Sequence, residues 1–107
     1  MNLVAAAYVA AGHYPTCERY VLSAQLRRAA ISVVANITEG YARPGPRQLR
    51  AFLDIAYASA RECDVLLLVS VRVGALTKLQ AAPVHSTTSI VSRQLLALLR
   101  ALRAGSG

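Results

Sequence analysis

The chain is poor in the residues that build reactive sites: two cysteines, two histidines, five carboxylates and no tryptophan among 107 residues. Cys17 and Cys63 stand in no CxxC or other metal-ligand spacing, which excludes a disulfide framework and leaves two reduced thiols as the expectation. His13 and His85 have no acid at helical spacing, so neither has the partner that a catalytic dyad needs. The five acids contain no Glu-x-x-His, the motif through which helical bundles hold metal. "GPRQ", Gly45 to Gln48, lacks both the glycine spacing and the Lys-Ser/Thr pair of a phosphate loop. The expectation is a protein with no catalytic residues, no metal and no cofactor.

Long hydrophobic runs are missing too. "VLLLV", Val65 to Val69, is far short of the ~20 residues that span a bilayer. "MNLVAAAYVAAG" has an apolar body but no basic stretch before it, which argues against a secretory signal and for a cytoplasmic protein. "NIT", Asn36 to Thr38, is a formal glycosylation sequon inside an expected helix and is discarded. Two-residue alternation and β-branched density, the marks of strands, are absent, so the fold class is all-α.

What is abundant is apolar surface and arginine. Hydrophobic residues make up 55% of the chain and the mean hydropathy is +0.41, more than one small domain can bury by itself. With no membrane span to absorb the excess, a partner subunit is expected. Twelve basic residues against five acidic give +7, and eleven of the twelve are arginine, the side chain suited to bidentate phosphate contacts and to buried ion pairs.

Breakers at "GHYPT", "GYARPGP" and "VGALT" divide one domain, residues 1–107, into four helical segments at about 2–11, 17–39, 46–73 and 77–103. In the second, Leu22, Leu26, Ala29, Ala30, Val33 and Ile37 form one core stripe, and Gly40 is a candidate C-terminal cap. In the third, Pro46 suits a first turn, and Leu49, Phe52, Leu53, Ala56, Ala60, Cys63, Leu67 and Val71 share a face. In the fourth, Thr77 and Gln80 make a capping box, Val91, Leu95, Leu98 and Leu102 make a seam, and Pro83 should kink the helix or delay its start. Short connections between long helices predict an antiparallel up-down-up-down four-helix bundle.

Two rows do not fit a monomer. Gln25, Arg28, Ser32, Asn36 and Glu39 form a polar stripe on the second helix, bordered by Ile31, Val34 and Ala35. On the third helix, opposite the core stripe, runs a second apolar row, Ile55, Ala58, Leu66, Val69 and Val73, with Glu62 in its middle. A helix apolar on opposite faces is buried on both, and in a four-helix bundle the second burial requires another subunit. A carboxylate in such a row is costly unless paired, with Arg27 or Arg28 as the expected partner. Gln25, Arg27, Arg28, Ser32, Asn36, Glu39 and Glu62, with Ile55, Leu66 and Val69, are therefore the candidate polar network and oligomer interface.

These same residues carry a resemblance. "LSAQLRRAAISVVANITEGYAR", then "LRAFLDIAYASARECDVLL" and "VGALT", resembles the bacterial four-helix-bundle family first noticed in proteins encoded within intervening sequences of 23S ribosomal RNA genes. Gln25, Arg27, Arg28, Ala29, Ala30, Ser32, Asn36, Ile37, Glu39, Gly40 and Arg43 match the family's Q-x-R-R-A-A-x-S-x-x-x-N-I-A-E-G-x-x-R. Phe52, Leu53, Ile55, Ala56, Ser59 and Glu62 match its F-L-x-I-A-x-G-S-x-x-E, and "HYPTCERY" is similar to the stretch that opens its second helix. Thr38 stands where the family has Ala, Ala58 replaces its Gly, and Gln48 its usual Glu. The resemblance implies a four-helix bundle that assembles as a homopentamer. A related branch, the accessory proteins of diversity-generating retroelements, implies a basic barrel that binds nucleic acid.

For function, Arg43, Arg47, Arg50, Arg61, Arg72, Arg93, Arg100 and Arg103 are the candidate nucleic-acid-binding residues. One Phe and five Tyr offer few stacking platforms, so contact with RNA or DNA should be to the backbone and independent of sequence. The alternative is a structural scaffold that binds a protein partner and spends its arginines on subunit contacts.

Overall fold

The computed structural model describes residues 2–15 and 20–106. They form four helices: α1 (Asn2–Ala11), α2 (Tyr20–Tyr41), α3 (Pro46–Arg72) and α4 (Lys78–Ser106). The expected start of α2 at residue 17 falls outside the described residues. Each helix packs on two neighbours in the closed order α1, α2, α3, α4 and back to α1. Ser32 Oγ meets Ser59 Oγ at 2.8 Å across α2 and α3, which run antiparallel. Asp64, late in α3, bonds to Thr88, early in α4, while Asp54 bonds to Arg103 near the end of α4. That pairing fixes α3 and α4 as antiparallel as well, giving the up-down-up-down arrangement.

Local sequence explains most ends. α3 starts at Pro46, whose missing N–H costs nothing in a first turn, after an extended Gly45. It stops at Val73, followed by Gly74 at φ +77°, a left-handed position that a side chain would strain. The capping box forms: Thr77 N–H donates to Gln80 Oε1 at 3.0 Å, and Gln80 N–H donates to Thr77 Oγ1 at 3.1 Å.

Gly40 does not cap α2. It lies buried inside the helix, and a Cβ there would sit 3.1 Å from both Leu49 Cδ1 and Phe52 Cβ. Its role is close approach of α3, not chain reversal. Pro83 neither delays nor ends α4, which runs from Lys78 through it. Near the N-terminus of α4 the helix loses one backbone bond there, and the Thr87 hydroxyl donates to the Pro83 carbonyl at 3.0 Å.

The core has two parts. The larger gathers Leu3, Ala7 and Ala10 of α1 with Leu26, Ala30 and Val33 of α2, Cys63 and Leu67 of α3, and Val84 of α4. The smaller, around Leu53, Ala56, Leu95 and Leu99, contains no residue of α1. Ten residues of helix reach only ~15 Å, so α1 covers the half of the bundle where α2 begins, and three helices form the other half. In α4 the buried seam passes through Leu95 and Leu99, while Leu98, expected in it, is exposed. Beyond α1, Tyr14 is buried and hydrogen-bonded to Ser70 Oγ at 2.6 Å. Since the Ser70 hydroxyl donates to the Leu66 carbonyl, Tyr14 is the donor in that bond, and it ties the first connection to α3. None of the described helices is long and apolar enough to cross a membrane.

Candidate nucleic-acid interface

The turn "GYARPGP" and the end of α4 meet at one end of the bundle. α2 closes with Ala42 N–H on the Thr38 and Glu39 carbonyls and Arg43 N–H on that of Gly40, and Pro44 to Pro46 then reverse the chain. Arg43 is held twice, by an ion pair to Glu39 and by its guanidinium lying 5.2 Å from the centroid of Phe52. Arg47 and Arg50 occupy the first turns of α3, where the helix dipole disfavours cations, and that first turn contains no acid. α4 ends beside them, bringing Arg100 and Arg103; Arg103 Nη2 bonds Asp54 Oδ1 at 3.2 Å. A hollow of about 240 Å³ joins the two helices, lined by Pro46, Arg47, Arg50 and Leu102.

Five of the eight candidate arginines therefore share one end. Arg61 and Arg93 face each other across a cleft midway along α3 and α4. Arg72 stands apart in the last turn of α3, where the dipole favours it. Positive potential is concentrated where α3 begins, and the carboxylates nearby, Glu39 and Asp54, are already engaged.

The second candidate surface is the outer side of the α2–α3 hairpin. Ile55 is 48% exposed and Val69 39%, with Ala58, Val65 and Val73 also open on this side. Leu66 departs from the expectation: at 7% exposure it belongs to the core, because the 3.6-residue turn carries that position toward α2. Ser32 and Asn36 of the polar stripe are half-buried and bonded, Asn36 Nδ2 to Ser32 Oγ at 3.1 Å and Ser32 to Ser59. Gln25, Arg28 and Glu39 are exposed.

Arg27 is not the partner of Glu62 within the chain. Its guanidinium lies 5.7 Å from the centroid of the Tyr8 ring, on the α1 side of α2. Arg28 and Glu62 share the outer face and form no ion pair with each other within one chain. The apolar row thus stays open in a single chain, with one acid and one base on the same face.

Tertiary packing also creates a cluster invisible at helical spacing. Asp64, with its side chain only 16% exposed, accepts from Thr88 Oγ1 at 2.6 Å and lies 3.3 Å from His85 Nδ1 and 3.5 Å from Arg61 Nη1. His85, expected to stand without an acid, has one from the neighbouring helix. Cys63, one position earlier, is fully buried, and desolvation, reinforced by the charges of Asp64 and Glu62, pushes its thiol up to about 12. It is an apolar filler, not a nucleophile. No group of side chains suited to holding a metal occurs among the described residues.

The family model for 23S rRNA-intervening sequence proteins matches residues 1–97. The chain belongs to that family. The match spans all of α1, α2 and α3 and most of α4, including the outer face of the hairpin and three of the five arginines at the basic end, Arg43, Arg47 and Arg50. Arg100 and Arg103 lie beyond the matched stretch. A comparison with curated proteins returns no match.

Proposed function

We propose that the protein is a non-enzymatic, basic homo-oligomer that binds RNA or DNA through the phosphate backbone. The observation that carries this reading is the end of the bundle where Arg43, Arg47 and Arg50 meet Arg100 and Arg103 around the acid-free first turn of α3. Cations at a helix N-terminus repel the dipole, and a phosphate placed among them satisfies both. With few exposed stacking rings and no reading motif, the contact is electrostatic and independent of sequence.

Oligomerisation follows from the outer α2–α3 face. Burying Ile55, Ala58, Val65, Val69 and Val73 against another copy removes an exposed apolar row, and Arg28 of one copy then answers Glu62 of the next. A closed ring of five is the assembly that the family resemblance implies. Five copies carry about +35, which draws a polyanion strongly at low salt.

The test is a gel shift with a single-stranded RNA across a salt series, using the parent and the Arg43→Ala/Arg47→Ala pair. The parent should release RNA steeply as salt rises, and the pair should bind less at every salt. Retention that ignores both salt and the substitutions would instead favour a scaffold for a protein partner.

A further inference from the structure

The cleft between α3 and α4 is separate from the basic end. It is an open furrow of about 440 Å³ lined by Arg61, Asp64, His85, Ser89, Ser92 and Arg93, among others. Two arginines, one histidine and one acid make it a cationic hollow. The acid is already answered, because Asp64 is satisfied by Thr88, His85 and Arg61. Arg93 donates from Nε to the Ser89 carbonyl at 3.3 Å, which aligns the side chain along α4 and leaves both Nη groups for a ligand.

Ser92 marks the cleft as more than a charged furrow. It is only 8% exposed, yet its Oγ is the one buried side-chain oxygen or nitrogen among the described residues that makes no hydrogen bond. A buried hydroxyl without a partner is costly, and serine at this point interrupts a seam that Leu95 and Leu99 continue. A single χ1 torsion is all the hydroxyl needs to find an acceptor placed in the cleft.

We propose that this cleft binds a phosphate monoester, with Arg61 and Arg93 pairing its charge and the Ser89 and Ser92 hydroxyls donating to its oxygens. The donors are several and convergent, which suits the three terminal oxygens of a phosphate better than the two of a carboxylate. One engaged carboxylate cannot hold a metal cation. Tyr57 and Leu96 also line the cleft and offer contact to an organic body on the phosphate: a mononucleotide, or the phosphorylated end of a nucleic acid.

The test is calorimetric titration of the full chain at fixed ionic strength with inorganic phosphate and adenosine monophosphate, beside 5′-phosphorylated and 5′-hydroxyl forms of one oligonucleotide. One saturable site per chain is expected. Arg93→Gln and Ser92→Ala should each weaken it about tenfold, while Ser92→Ala leaves the melting temperature unchanged or higher. Arg43→Ala/Arg47→Ala should leave the monophosphate titration intact even if it abolishes the gel shift, so failure of the basic end and failure of the cleft are told apart. A 5′-phosphate preference lost in Arg93→Gln assigns the site to nucleic-acid ends, and saturation by adenosine monophosphate without that preference assigns it to free monoesters. Absence of saturation, cleft variants that titrate like the parent, or loss caused equally by the basic-end pair would overturn the proposal.

Discussion

Single residues in this chain are explained by what surrounds them. Gly40 is the clearest case: its position at the end of an apolar stripe suggested a cap, whereas its use is to let Leu49 and Phe52 approach α2. Leu49 Cδ1 can swing away from an added methyl, but the Phe52 Cβ cannot. Gly40→Ala should therefore lower stability by about 1–2 kcal/mol despite the better helix propensity of alanine, read as a lower denaturant midpoint at unchanged slope. Cys63, with its thiol near 12, should resist alkylation in the native protein at pH 8 and react only on unfolding. Peptide mapping of the labelled chain reads that residue apart from Cys17. Burial also raises the Tyr14 hydroxyl. Its neutral form is the one the fold holds. The stability it contributes is therefore fully present below the ordinary tyrosine range, and is lost as alkaline pH rises through the native value.

At the scale of elements, much of the architecture was legible before the fold was known. Breakers located four helices, Pro46 opened α3 as expected, and the Thr77–Gln80 box formed with both of its bonds. Thr77→Ala should cost about 1 kcal/mol in thermal or chemical unfolding. Pro83 was legible as a fault but does not delay the start of α4, because a proline close to a helix start removes only one bond. Restoring that bond with Pro83→Ala should raise stability by about 1 kcal/mol or more, measurable as a higher melting temperature. What periodicity missed lies between helices. Leu98 and Leu99 are both apolar, and only packing decides which one turns inward. Asp64 and His85 are 21 residues apart, so no local spacing joins them. Thr88 and Ser92, polar residues at i, i+4 on the inner side of α4, were the available signal for that cleft.

For the whole molecule, the basic end and the outer hairpin face make complementary demands. One repels copies of itself at low salt, and the other is an apolar row that a monomer leaves in water. The arginine pattern was legible as composition but not as a place; antiparallel packing brought the end of α4, with Leu102 and Arg103, beside the start of α3 with Arg47 and Arg50. If the outer face joins copies, Ile55→Glu with Val69→Glu should dissociate the assembly while circular dichroism keeps its helical signal, since neither side chain is in the core. The most direct measurement is light scattering coupled to size exclusion, at low and high salt, with absorbance at 260 and 280 nm recorded across the peak. The expected result is a salt-stable mass near five times the 11.4 kDa chain, carrying nucleic acid at low salt and shedding it at high salt. A monomer at both salts, free of nucleic acid, would contradict it.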